Sequence, residues 1–445
     1  MKQLKNILFG LLMLMTGLPL IQRTVPVFSE EPLKGAYEIP VKPEATVKTI
    51  LNGEYQEAYN DFAEHTIGLR PLLVRLNNQI AFSVFDTALA SGVIIGKQRY
   101  LYEINYIKAF KGWDYIGDEA LRQQVEKAVF VYKKLREAGK TLIFVMAPGK
   151  ASFFPEYIPD HYLKKQSGEK TNYESLRKAY KENQLPLIDF NRWFVDMKDT
   201  VSFPLYPQCG IHWSAYGVAL SLDSLIRYIE KDRNIDMVDF GWNGFDQPDT
   251  LRSPDYDIAE GMNLLFSIPH YPMAYPRIWF GSEEGKTKPN ALVVADSYYW
   301  NIFGTGLSAR IFNDNSFWYY NTEAHNPAWD SPKRTTDIDI SEAAGKADVI
   351  IIMATEANLY RFPYGFTERL FEAMISNGNV KPSEAAVVVN AEKEAEIAEM
   401  MKAMDSSPDW KKMIEKKAAD KGISYEEMLK LDATWVWNEK HKQGK

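Results

Sequence analysis

Cysteine is almost absent. The 445 residues contain one, Cys209, which excludes an intrachain disulfide and any paired-cysteine metal or redox site. An excess of basic charge is missing too. Lys and Arg number 52 against 59 Asp and Glu, a formal charge of −7, so affinity for nucleic acid through phosphate neutralisation is not expected. Histidine is scarce, with six in the chain. What is present is ordinary for a globular protein: 46% apolar and 25% charged residues exclude wholesale disorder, collagen and coiled coil. Aromatic residues reach 13%, which fits either dense packing or an aromatic-lined surface for carbohydrate or partners. A prior of about 150 residues per domain allows three domains or one large α/β domain with appendages.

A uniformly apolar, uncharged run lies between Ile7 and Ile21, behind Lys2 and Lys5. It reads as an export signal or a membrane anchor. Gly10, Gly17 and Pro19 favour a cleavable signal peptide, whereas the absence of an A-x-A site and the sequence Gln22-Arg23-Thr24-Val25-Pro26 favour an uncleaved anchor. No cysteine there can take a lipid. Either way the body is expected outside the cytoplasm, in the periplasm or on the outer face of the cytoplasmic membrane. The organisation expected is residues 1–23 as signal or anchor, 24–44 as a tether rich in Pro, Glu and Lys, 45–380 as the main domain, and 381–445 as a charged helical appendage.

Within the main domain, apolar residues at helical spacing predict two or three helices between Ala45 and Ala90. A short hairpin is expected over Val93–Tyr102, turning at Lys97 and Gln98. Apolar strands are predicted at Thr141–Met146, Leu185–Phe190, Ala291–Ala295 and Ala347–Ala354. Helices are predicted at Leu121–Ala138, Tyr173–Asn183, Ala215–Tyr228 and Phe366–Ser376. Alternation of helices with nearly all-apolar strands implies a mainly parallel sheet covered on both faces, with any ligand beyond the carboxyl ends of its strands. Residues 232–290 break the rhythm and are expected to overhang that edge. In the appendage, helices are predicted at Ala391–Met404, Pro408–Lys421 and Ser424–Trp437. Ser424 opens a capping box with Glu427, and Trp435 and Trp437 are expected to dock the appendage on the body.

Three loops carry reactive groups. Ala295-Asp296-Ser297-Tyr298 runs from a strand straight into a serine, which acts as a nucleophile only if a base and oxyanion donors converge on it; the same dipeptide also caps helices. Cys209-Gly210-Ile211-His212-Trp213-Ser214 places an imidazole in a turn before a helix, where it can shuttle a proton or simply pack beside a Ser214 cap. Pro148-Gly149-Lys150 follows another strand, and Lys150 can reach for a carboxylate or lie in solvent. Cys209 is read as a buried, unreactive thiol.

The ordered set Gly96-Lys97 with Tyr100-Leu101-Tyr102, Pro148-x-Lys150 with Phe154-Pro155-Glu156, His212-Trp213-Ser214 with Tyr216-Gly217, Asp255-x-Asp257-Ile258 with Asn263-Leu264, and Asp296-Ser297-Tyr298 resembles the SGNH-hydrolase-like acetyltransferase family of alginate O-acetylation and its "DHHW" relatives. The resemblance covers roughly residues 45–375. It implies an SGNH-like α/β/α sandwich with a mainly parallel sheet in permuted chain order, because the His loop precedes the Ser loop. It further implies an extracytoplasmic O-acyltransferase that acetylates a polysaccharide, taking its acyl group from a membrane-bound O-acyltransferase partner, with no cofactor and no metal. Ser297 matches the family nucleophile and His212 the family base. The family carboxylate two residues before the His is missing, since Gly210 stands there. Asp189 and Glu356 are the candidates to replace it, and Asp296, Lys150, Tyr298 and Asn358 are further supporting candidates. A carbohydrate acetylesterase, or a non-catalytic polysaccharide-binding or assembly protein with a degenerate triad, is the alternative function.

Overall fold

The computed structural model describes residues 2–35, 39–376, 396–421 and 424–442. Eleven strands occur among the described residues: β1 Val93–Ile95, β2 Leu101–Glu103, β3 Thr141–Ala147, β4 Leu187–Asp189, β5 Phe240–Asp246, β6 Tyr275–Phe280, β7 Ala291–Ala295, β8 Asn315–Tyr319, β9 Glu323–His325, β10 Lys333–Arg334 and β11 Val349–Thr355. Seven form one sheet in the order β10-β9-β8-β7-β11-β3-β4. The five strands from β8 to β4 are parallel, and β9 and β10 add an antiparallel edge.

Every residue of β3, β7 and β11 is buried. The two-residue period of a strand sends alternate side chains to opposite faces, so each central strand feeds two cores. Ile143, Val145, Val293 and Ile351 join one apolar cluster with Ile107, Leu222 and Ile226. Leu142, Phe144, Val294 and Ile352 join the other with Val125, Leu176 and Leu370. The covering helices on the second face are Asp118–Glu137, Asn172–Glu182 and Phe366–Ser376, and Ala215–Arg233 packs on the first. Strands buried on both faces must be apolar throughout, which is why their sequences show runs without alternation. The fold is thus a mixed α/β sandwich, as the sequence implies.

Strands β8, β9 and β10 are additions to the sequence-based expectation. They are short, and β9 carries Glu323 and His325, so no apolar run announces them; their pairing with the exposed edge of β7 creates them. Residues 232–290 fold as the antiparallel pair β5–β6 with the short helix Asp257–Gly261 between them. Ahead of the sheet, helices run over Val47–Leu51, Glu54–Thr66 and Arg70–Phe85, and β1 pairs with β2 across a turn at Lys97–Arg99.

The amino-terminal helix is Lys2–Thr24, and its Gln3–Thr24 portion is long and apolar enough to cross a membrane. At the other end, helices 396–406, Pro408–Lys421 and Tyr425–Lys442 enclose a small core of Ile397, Met404, Ile414, Met428 and Leu429. Residues 391–395 of the helix expected from Ala391 lie outside the described residues. Ser424 Oγ accepts the Glu427 N–H, the first half of the expected capping box. The two tryptophans expected to dock on the body do otherwise: Trp435 is 63% exposed, and Trp437 donates to Glu396 within the appendage.

Candidate active site

Because the central strands are parallel, the residues following β3, β4, β7 and β11 all emerge at one edge of the sheet. Ser297 comes two residues after Ala295, the end of β7, and opens a turn of 3₁₀ helix, Ser297–Tyr299, capped by Asp296. His212 reaches the same edge from the loop that precedes helix Ala215–Arg233. Its Nε2 lies 3.0 Å from Ser297 Oγ, although the two residues are 85 apart in the chain. Its Nδ1 lies 2.5 Å from Oδ2 of Asp257. A carboxylate at Nδ1 fixes the proton there and leaves the Nε2 lone pair facing the serine hydroxyl, the tautomer that proton abstraction needs.

Asp257 replaces both expected carboxylates. Its second oxygen, Oδ1, accepts the N–H groups of Ile211 and Ile258 at 2.8 Å, so one side chain holds the imidazole and the backbone that carries it. Asp189 is instead committed at the end of β4. It caps helix Phe190–Met197 through the Arg192 N–H and accepts from Tyr173 and Arg177. Glu356 is buried beside Gly149, whose missing Cβ would stand 2.2 Å from its Oε2. Burial, the largest influence, pushes the Glu356 carboxyl up to about 7, and a hydrogen bond from Ser152 opposes this.

Gly210 is explained by the same loop. A Cβ on Gly210 would lie 2.8 Å from the carbonyl oxygens of Pro254 and Asp255, so the backbone that delivers Asp257 occupies the space a family aspartate would fill. The glycine meets a close approach of two chains, not a special backbone angle. Asp257 stood among the residues that carried the resemblance, in Asp255-x-Asp257-Ile258. Nothing local marked it as the partner of a histidine 45 residues earlier.

The His loop is clamped from two further sides. Lys150 is fully buried, neither solvent-exposed nor directed at a substrate carboxylate; its Nζ donates to the carbonyls of Gln208 (2.9 Å) and Gly210 (2.5 Å). Burial pulls its ammonium down to about 7, opposed by Cys209, Asp257 and Glu103. Tyr298 is buried next to the serine, donates to the Ile211 carbonyl and lies 3.1 Å from the Tyr206 hydroxyl. Asp296 braces the serine turn against β11: its Oδ1 accepts from Tyr298 N–H, and its Oδ2 accepts from Thr355 N–H (2.7 Å) and Asn358 Nδ2 (2.9 Å). Ser214 caps its helix through Gly217 N–H, and Trp213 is buried beneath, so packing and chemistry coexist in this loop. Cys209 is buried, and burial pushes its thiol up to about 11, which leaves it unreactive.

A nucleophile, a base and an orienting carboxylate in hydrogen-bonded line can transfer an acyl group. Residues 93–239 match the family model described as SGNH hydrolase-like domain, acetyltransferase AlgX. Ser297 and Asp257 lie beyond the matched stretch. Solved structures similar to the chain include the O-acetyltransferase domain of Pseudomonas putida AlgJ (14% identity, 62% of this chain and 99% of that one, TM-score 0.41). Pseudomonas aeruginosa AlgX (11%, 62% and 67%, TM-score 0.37) and Bacillus cereus PatB1 (11%, 55% and 92%, TM-score 0.36) are similar as well. All three are distant resemblances, and no curated protein matches the chain by sequence. Residues 93–239, from β1 through the His212 loop and the helix behind it, are thus the stretch of this chain that is similar to the SGNH hydrolase-like domain of the acetyltransferase AlgX.

Proposed function

We propose that the protein is an extracytoplasmic O-acyltransferase that acetylates a polysaccharide through an acyl-Ser297 intermediate. The observation that carries this reading is the Ser297–His212–Asp257 line at the carboxyl edge of the sheet. In the first half-reaction His212 Nε2 takes the Ser297 proton as Oγ attacks the donor's acyl carbon. The imidazolium, stabilised by Asp257, then protonates the leaving group. In the second half-reaction His212 takes the proton of an acceptor hydroxyl, the acceptor oxygen attacks the acyl carbon, and Ser297 Oγ leaves and recovers the proton. A polysaccharide acceptor, and a donor supplied by a membrane-bound O-acyltransferase, follow from the resemblance to alginate O-acetylation proteins. Location outside the cytoplasm is supported by helix Gln3–Thr24, read as a signal or anchor. The non-catalytic alternative drew on Gly210, and the carboxylate of Asp257 removes that support.

The test is to incubate the purified protein with an activated acetyl ester and measure intact mass. One acetyl group on Ser297 is expected, transferred onward to an oligosaccharide. Ser297→Ala should form no adduct and lose on the order of 10⁶-fold in turnover. Release of free acetate without transfer would make the protein an esterase. Glycan acetylation in cells supported equally by Ser297→Ala would make it a scaffold.

A further inference from the structure

Helix Arg70–Phe85 carries an apolar stripe left exposed among the described residues. At 100° per residue, Leu72, Leu73, Leu76, Ile80 and Val84 fall in one sector about 120° wide. Their exposures run from 42% at Leu72 to 68% at Val84. Other side chains of the helix engage the rest of the protein: Phe82 is buried, Asn78 donates to the Met262 carbonyl, Arg75 donates to the carbonyls of Glu31 and Pro32, and Gln79 accepts the Phe266 N–H. Phe266, 71% exposed, extends the stripe from the neighbouring loop. An exposed apolar band of this length marks a contact surface.

Position in the fold selects the occupant. Gly68, in the turn that starts this helix, packs directly on the end of the amino-terminal apolar helix: a Cβ there would lie 2.4 Å from the Pro19 carbonyl oxygen and 2.7 Å from the Arg23 nitrogen. The Arg23 guanidinium sits 5.6 Å from the centre of the Phe62 ring in the preceding helix. With the apolar helix read as an anchor that leaves the bilayer at Thr24, Pro19 lies about 7 Å deeper at 1.5 Å per residue, which would put the turn at Gly68 level with the headgroup and upper acyl region. The helix that begins there contains Arg70 and Arg75 and no acidic residue, which suits an anionic headgroup layer.

We propose that helix Arg70–Phe85 lies on the membrane surface with its Leu72–Leu76–Ile80–Val84 stripe in the lipid, giving the protein a second membrane contact that fixes how its active edge faces the bilayer. This rests on the anchor reading of helix Gln3–Thr24 given above. The experiment places an environment-sensitive fluorophore on single cysteines in the full chain, the native Cys209 being buried. Leu76→Cys and Ile80→Cys report the stripe, Leu11→Cys the apolar helix, and Lys178→Cys an exposed reference far along the chain. Each protein is reconstituted in vesicles of phosphatidylethanolamine and phosphatidylglycerol. Labels at 76 and 80 are expected to shift to the blue, to lose quenching by aqueous iodide and to gain quenching by lipid-borne nitroxide, while the label at 178 stays aqueous. If the label at 11 enters lipid and those at 76 and 80 remain open to iodide, the second contact is overturned and the anchor stands. If all of them remain aqueous, both fall. A disulfide between copies of Leu76→Cys in the vesicles, with nitroxide quenching absent, would assign the stripe to self-association and overturn lipid contact.

Discussion

The arm that runs from residue 2 to residue 90 and the body from 91 to 376 bury their apolar side chains in opposite ways. In the body, the large apolar residues left exposed are Phe266, Trp279 and Tyr360. In the arm, helices Val47–Leu51 and Glu54–Thr66 have no buried residue, Arg70–Phe85 has only Phe82, and exposed leucines, isoleucines and valines recur from Leu4 to Leu89. The body makes its own apolar interior on both faces of a sheet. The arm has apolar surface and no interior, so its stability in place depends on what surrounds it. Chemistry is expected to depend on the body, and orientation at a membrane on the arm.

The sharpest way to break that division lies in the body. Asp257→Asn should lower acetyl-ester turnover about 10⁴-fold, because the amide no longer fixes the imidazole tautomer or its charge. Circular dichroism should show an unchanged fold, since Asn can still accept from the Ile211 and Ile258 N–H groups. A fall of less than about tenfold, an order-of-magnitude bound, would show that some other group orients His212.

Gly210→Asp tests whether the two carboxylate positions exclude each other. The new side chain meets the Pro254 and Asp255 backbone at 2.8 Å, so the loop that carries Asp257 must move. Destabilisation of about 1 to 3 kcal/mol in urea titration is expected, together with reduced turnover. Higher turnover at unchanged stability would mean that the aspartate restores the family triad and that Asp257 is dispensable.

A smaller effect should appear in the pH dependence of the body's stability. The buried Glu356 titrates near 7 in the folded protein, against 4.5 for an ordinary glutamate. Between those values the native state keeps a proton that the unfolded chain has lost, so this group's contribution falls as pH rises through the window and is constant above it. Glu356→Gln cannot ionise and should flatten that fall, measured as the midpoint of urea unfolding at successive pH values. An unchanged slope would place the buried charge elsewhere, with Asp255, also raised to about 7 chiefly by burial, as the next group to replace.

The least change is expected from the arm. Leu76→Glu with Ile80→Glu should leave turnover of a small soluble ester within about twofold and stability within about 0.5 kcal/mol, as for exposed positions. If instead the pair of substitutions lowered ester turnover as strongly as Asp257→Asn, the arm would be part of the catalytic machinery, and the contrast between the two regions would fail.

Where strands are buried on both faces, the sequence by itself determined the structure. Apolar runs at Thr141–Ala147, Ala291–Ala295 and Val349–Thr355 are long enough to name the central strands, and the serine and histidine loops follow from where such runs and their helices end. The uncharged segment near the amino terminus was equally legible, because hydrophobic length is a property of the chain alone. Strands β8 to β10 were not, since segments of two to five residues acquire their state from the edge they pair with. Only the tertiary structure decided the partner of His212. Asp189 and Glu356 sit at the right edge of the sheet, but capping, ion pairing and burial engage them there, while Asp257 arrives from an excursion whose local sequence carries no sign of its destination. The reason is physical: a strand or a membrane-length helix is written in the periodicity and length of neighbouring residues, whereas a hydrogen bond across 45 residues depends on how two loops cross, and here that crossing also requires the glycine at 210.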